Sequence, residues 1–227
     1  VRQTLIFDAD DTLWENNVVF ERVIDDFLDW LAHPTLDRAA LRTILDDIER
    51  ANCAAHGYGT KIFLRSLGDC LERLRARPAT AAEQRQILDL ADALVNQQVE
   101  LIPGVAETLD ELAGRHDLLL LTKGDDEEQQ RKIDASGLDH HFTGVHIVRE
   151  KHAGTYLELV EQHSLRPEHA WMIGNSPKSD ILPARRAGLN AVFIPNESTW
   201  VLEHDVVDPA DDRVLHLARF PDLLAHF

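Results

Sequence analysis

Three carboxylates of the 227-residue chain, Asp8, Asp10 and Asp11, directly follow the apolar run Leu5-Ile6-Phe7. Three carboxylates this close repel one another, and a divalent hard cation held by oxygen ligands relieves the repulsion. Leu5, Ile6 and Phe7 read as a strand buried on both faces, which delivers the cluster to the strand's C-terminal end, where open α/β sheets bind ligands. An acidic turn in which an Asp or Thr12 caps the local backbone accounts for the same residues without chemistry.

Three later stretches end apolar runs in polar groups of a kind that suits an anion. Thr122-Lys123-Gly124 offers a hydroxyl and backbone N–H groups in a glycine-permitted turn, an anion nest or else the N-cap of the acidic helix that follows. Arg149-Glu150-Lys151 offers a cation just before a helix, or a surface lysine. Gly174-Asn175-Ser176-Pro177-Lys178-Ser179-Asp180 carries an amide and a carboxylate five residues apart, Asn175 and Asp180, and reads equally as a turn capped by Ser176 ahead of Pro177.

The elements that must position these groups follow from periodicity. Strands are predicted at 118–122, 145–148, 170–174 and 191–194, with a last short one at 214–217. Helices fall between them: one through Val105, Leu109 and Leu112, a polar one over 125–136 ended by Gly137, one through Tyr156 and Leu159, and one over 181–187 ended by Gly188. Continuous apolar strands alternating with helices predict an α/β fold, a Rossmann-like parallel sheet core covered by helices on both faces.

Between the first strand and this core, apolar residues recur at three- and four-residue steps. Val19 to Leu31, Leu41 to Ile48 and Phe63 to Leu74 make three helices, and a fourth opens on the capping box Thr80-Ala81-Ala82-Glu83 and runs towards Val99. An inserted all-helical domain is therefore expected over 15–102, with the core formed by 1–14 and 103–227. Its irregular point is His56-Gly57-Tyr58-Gly59-Thr60-Lys61, where two glycines suit either a loop that approaches a ligand or a plain helix–helix turn.

Composition narrows the partners. A formal net charge of −17 disfavours nucleic acid and anionic membranes, and an anionic substrate would need a locally positive site. No apolar run approaches membrane-spanning length, the first residues lack signal-peptide character, and Cys53 and Cys70 show no metal-type spacing, so a cytoplasmic protein with free thiols is expected. His140, His141, His146, His152, His163 and His169 match no compact ligand set and read mostly as surface residues.

Taken in order, Asp8-Ala9-Asp10-Asp11-Thr12, then Thr122, Lys151 and Gly174-Asn175 with Asp180 resemble the four motifs of the haloacid dehalogenase-like (HAD) hydrolases across essentially the whole chain. The resemblance implies a type 1 helical cap in the insertion. It implies Asp8 as nucleophile forming an aspartyl-phosphate, Asp10 as acid and then base, and Thr122 and Lys151 holding the phosphoryl oxygens. It also implies Mg²⁺ held by Asp8, Asp10 (through its backbone carbonyl) and the fourth motif, Asn175 and Asp180. Two positions depart from the pattern: Asn175 stands where the family usually has Asp, removing a negative charge, and Lys123 stands where many relatives have Asn, adding a cation near the phosphate or at the surface. Asp10 favours a phosphatase acting on a small phosphorylated metabolite over a dehalogenase, with a phosphomutase or a phosphate-binding regulatory module of weak turnover as alternatives. Tyr58 and Lys61 are expected to meet the substrate's leaving group.

Overall fold

The computed structural model describes residues 2–95 and 99–227. The chain divides into two compact units, Val1–Asn17 with Val99–Phe227, and Val18–Gln98. The first opens on β1 (Thr4–Phe7), whose three apolar residues are fully buried. Each such side chain contributes about 1.5–3 kcal/mol by leaving water, so a charge introduced at any of them would undo the strand's anchorage.

The second unit holds α1 (Asn17–Leu31) apart from its first residue, α2 (Arg38–His56), α3 (Thr60–Arg75), α4 (Ala81–Leu90) and the short α5 (Asp92–Val95). Their apolar stripes meet in one core that includes Phe27, Leu45, Phe63, Leu67 and Leu71. Thr80 and Glu83 form both halves of the capping box, the Thr80 side chain accepting from Glu83 N–H and the Glu83 side chain from Thr80 N–H. The expected fourth helix breaks at Ala91, and its predicted course over 96–98 lies outside the described residues. Gly57 (φ 89°) ends α2 and Gly59 (φ 120°) precedes α3, both in the left-handed region open to glycine.

The first unit resumes with α6 (Val105–Ala113), β2 (Asp117–Lys123), α7 (Asp126–Ser136), β3 (Gly144–Val148), α8 (Ala153–Gln162), β4 (Ala170–Gly174), α9 (Leu182–Arg186), β5 (Asn190–Phe193) and β6 (Val214–His216). The six strands form one sheet in the order β3-β2-β1-β4-β5-β6, every pair parallel. Successive residues feed opposite faces. Leu5, Phe7, Leu118, Leu120 and Ile173 join Val105, Leu109 and Ile133 on one side, while Ile6, Leu119, Leu121 and Met172 join Tyr156, Leu159 and Ala184 on the other. This is the Rossmann-like α/β arrangement expected of strands apolar on both faces.

Where the chain leaves and re-enters this unit it pairs with itself. Glu15 N–H donates to Glu100 O, Ile102 N–H donates to Leu13 O, and Trp14 bridges Leu101 in antiparallel sense. Those bonds keep residues 15–17 and 99–102 with the sheet unit, a few residues beyond the limits read from helical periodicity. The helix predicted over 181–187 also differs: Pro177–Ile181 forms a π turn, and only Leu182–Arg186 is α-helical. Tyr156 Oη donates to Ser179 O at 2.8 Å, and Asp180 N–H and Ile181 N–H both turn to Ser176 O. Single π turns of this kind concentrate at functional sites.

Candidate active site

The strand order reverses at β1, with β2 on one side and β4 on the other, so the C-terminal end of β1 is the crevice of the sheet. Asp8 sits there. Its N–H donates to Ile173 O at 2.9 Å, extending the β1–β4 ladder by one bond and fixing where the side chain starts. The next residues turn sharply: Ala9 O accepts from Thr12 N–H and Leu13 N–H, and Asp11 adopts φ 62°. That turn brings the Thr12 hydroxyl to Asp8, where Oγ1 donates to Asp8 Oδ2 at 2.9 Å and lies 3.2 Å from Asn175 Oδ1.

Lys151, 4% exposed, is the cation of the site. Its Nζ donates to Asp8 Oδ1 at 2.5 Å and to Asp180 Oδ1 at 2.8 Å. An ammonium has three hydrogens, so one remains for a ligand. Asp180 is held in turn by Ser176 N–H on Oδ2 at 3.0 Å. Gly174 makes room for it, since a Cβ there would fall 2.2 Å from Asp180 Oδ2. Burial lowers the Lys151 ammonium, but Asp180 and Asp8 outweigh it and hold the pKa above its ordinary value. Burial first, then the like charge of Asp180, pushes Asp8 up against the pull of Lys151. Both directions follow from one ammonium serving two buried carboxylates, a cluster one positive charge short of neutrality.

Asp10 is oriented separately. Trp14 Nε1 donates to its Oδ1 at 2.8 Å, Gln129 Nε2 to its Oδ2 at 3.1 Å, and Lys132 Nζ lies 3.1 and 3.2 Å from the two oxygens. Gln129 also donates to Thr122 Oγ1 at 2.6 Å. A hydroxyl that accepts this bond keeps its own hydrogen to donate elsewhere. Asp11, the third carboxylate, turns to structure and accepts from Asn16 N–H and Asn17 N–H at the start of α1. Its pKa rises to about 7, burial outweighing those bonds.

Two expected phosphate ligands are otherwise committed. Lys123 Nζ meets Glu203 Oε1 at 2.5 Å, Ser179 Oγ at 2.8 Å and Glu150 Oε1 at 3.3 Å, so its three hydrogens are spent within the protein. The Gly124 N–H closes the β2–β3 ladder on Val148 O at 3.0 Å, so the expected nest lacks that donor. Gly124 serves instead through its φ of 151° and its missing side chain, because a Cβ would lie 2.9 Å from Gln129 Cγ. The helix after it is capped by Asp125, which accepts from Glu128 N–H. Ser176 caps the π turn, accepting from Ser179 N–H, while Asn175 reaches Thr12 and Asp180 reaches Lys151.

Glu203 had no signal in the sequence. It is buried beneath the fourth-motif turn, its Oε2 accepting from Ser176 Oγ and Ser179 Oγ at 2.5 Å each. Burial raises its pKa, but Lys123 and the two hydroxyls prevail and hold it below the ordinary value. Gln129 and Lys132 were also missed; their one trace is a polar residue on the inward stripe of α7, beside Ile133. In the helical unit Tyr58 is half-buried in the α2–α3 loop and Lys61 is exposed in the first turn of α3. Both cysteines are free. Of the six histidines only His141 is buried; His140 and His152 are exposed, His152 capping α8 by accepting from Thr155 N–H, and among the half-buried ones His146 Nε2 lies 2.8 Å from His163 Nε2.

The sequence model of the haloacid dehalogenase-like hydrolases matches residues 3–188, a span that contains every motif residue and ends before Glu203. A phosphoserine phosphatase of Thermus thermophilus is 26% identical over 84% of this chain and 87% of its own. A haloacid dehalogenase-like family hydrolase of Xanthomonas campestris, also 26% identical, superposes with a TM-score of 0.83 over 99% of this chain and 94% of its own. A 2-haloacid dehalogenase of Pseudomonas syringae, 19% identical, shares the fold with a TM-score of 0.62 over 99% of this chain and 97% of its own. With Asp8, Thr122, Lys151 and Asp180 all at C-terminal strand ends of a six-stranded parallel sheet, the chain belongs to the haloacid dehalogenase-like hydrolases.

Proposed function

We propose that this hydrolase cleaves small phosphomonoesters through an aspartyl-phosphate on Asp8, with Mg²⁺ as cofactor. The observation that carries the reading is Asp10, positioned by Trp14, Gln129 and Lys132 two residues from the buried Asp8. A phosphoryl transfer needs a proton donor at the leaving oxygen, and carbon–halogen cleavage does not.

In the first step the Asp8 carboxylate attacks phosphorus, the bond to the ester oxygen breaks, and Asp10 gives that oxygen its proton. In the second, Asp10 takes a proton from water as the water attacks phosphorus, releasing inorganic phosphate and restoring Asp8. The spare hydrogens of Thr122 and Lys151 hold the phosphoryl oxygens throughout. Lys123 and Glu203 act behind them, bracing the turn that carries Asp180.

The donor set fits a hard divalent ion. The Asp8 carboxylate and the Asn175 amide oxygen converge on the Thr12 hydroxyl, both are oxygen ligands, and the Asp8–Asp180–Lys151 cluster lacks one positive charge. When bound there, Mg²⁺ supplies charge that screens the nucleophile from the phosphate. Asn175 makes the set less negative than a second aspartate would, which favours a rival reading as a phosphate binder of weak turnover.

Phosphoserine heads the substrates to test, after the Thermus relative. Purified protein given a phosphomonoester panel and 2-chloropropionate should release phosphate in Mg²⁺, stop in excess EDTA, and release no chloride. Asp10→Asn should slow turnover of every ester by about 10²–10⁴-fold, while an activated aryl ester still gives a rapid stoichiometric burst of its phenol, because only its second step needs Asp10. Turnover undiminished by chelator would remove the metal. No phosphate from any ester, with beryllofluoride still bound, would establish the binder.

A further inference from the structure

Away from the strand ends, one cluster of side chains among the described residues combines nitrogen with oxygen ligands. His140 and His141 close the short turn Asp139–His141 that leads into β3, and Asp110 lies on α6, which leads into β2. Both segments feed N-terminal strand ends, so the cluster lies at the opposite end of the sheet from Asp8 and Lys151. The ligand atoms of its three residues all fall within 4.8 Å of one another.

His141 is the anchor, 9% exposed, with Nδ1 3.6 Å from Asp110 Oδ1. The His140 ring lies against it, centroids 3.9 Å apart. Two ligands of a tetrahedral ion bound at about 2.0–2.1 Å stand roughly 3.4 Å from each other. The His141–Asp110 separation of 3.6 Å is close to that spacing, and His140 and Asp110 are both exposed, which leaves their side chains room to rotate. Mg²⁺ prefers an all-oxygen shell, whereas imidazole suits zinc, copper and nickel.

We propose that Asp110, His140 and His141 bind a divalent transition-metal ion of the zinc type, separate from the catalytic centre. Three protein ligands leave the fourth position to water. Bound, it ties α6 to the turn before β3 and stabilises the sheet unit by favouring the folded state.

The test is calorimetric titration of Zn²⁺ into the whole chain with Mg²⁺ in excess, alongside thermal melts. One equivalent should bind and raise Tm. His140→Ala and Asp110→Ala, both at exposed positions, should each weaken binding by about tenfold or more and erase the rise in Tm. Asp8→Asn and His163→Ala should leave it intact. His141→Ala should abolish binding, and circular dichroism must show that variant folded for its loss to count. No binding by the wild type, or binding unchanged in His140→Ala, overturns the site. Loss in His163→Ala instead would move the ion to the His146–His163 pair and overturn it equally.

Discussion

In the sheet unit the buried carboxylates of Asp8 and Asp180 share the ammonium of Lys151, whereas in the helical unit Glu49 is buried with its Oε2 unpartnered among the described residues. Burial drives both Asp8 and Glu49 upward, Glu49 to about 8 with only partial relief from Arg42, which is itself bonded to Glu21 and Asp46. The shifts share a direction and a cause, but the surroundings differ. Lys151 bonds Asp8 directly and works against the rise, whereas Glu49 keeps one oxygen without a hydrogen bond and feels Arg42 only through space.

Substitutions separate the two regimes, the largest effect first. Asp8→Asn should cut kcat by about a thousandfold or more while leaving the melting profile nearly unchanged, because the swap is close to isosteric. Retained turnover would remove Asp8 as nucleophile. Lys151→Met leaves two buried carboxylates facing each other and should cost about 3–5 kcal/mol in urea unfolding, besides activity. Partial recovery of stability on adding Asp180→Asn would show that repulsion, and not lost packing, is the cause.

Glu49 provides a test by pH. Its folded pKa of about 8 exceeds the unfolded 4.5, so its contribution is complete below the unfolded value and fades as pH rises through the folded one. Thermal stability should therefore decline between these limits, and Glu49→Gln should flatten the decline and exceed the wild type at the alkaline end. A variant with the wild-type slope would show that Glu49 is not the titrating group.

The smallest effects belong to the exposed part of the helical unit. If that unit selects substrate, Tyr58→Ala and Lys61→Ala should raise KM for phosphoserine by about threefold to tenfold and leave a small aryl phosphate nearly unaffected. Equal changes on both substrates would return Gly57 to Lys61 to the role of a helix–helix turn.

Legibility followed the range of the interactions. The central strands were readable because Leu118 to Leu121 and Ala170 to Ile173 are apolar on both faces, and a strand so built has one stable environment. The capping box at Thr80 was readable because its partners lie three residues apart. The π turn was not, since it depends on the Tyr156 hydroxyl arriving from α8 to take Ser179 O.

The motif residues Asp8, Asp10, Thr122, Lys151, Asn175 and Asp180 could be picked out by sequence alone, because their types and order at apolar run ends resemble the family's motifs. What each one touches was decided only in three dimensions. Gln129 and Lys132 reach Asp10 from more than a hundred residues away in the chain, and Glu203 draws Lys123 out of the phosphate role its position implied. An ammonium goes to the nearest uncompensated carboxylate, and no spacing in the sequence states which carboxylate the fold will bring closest.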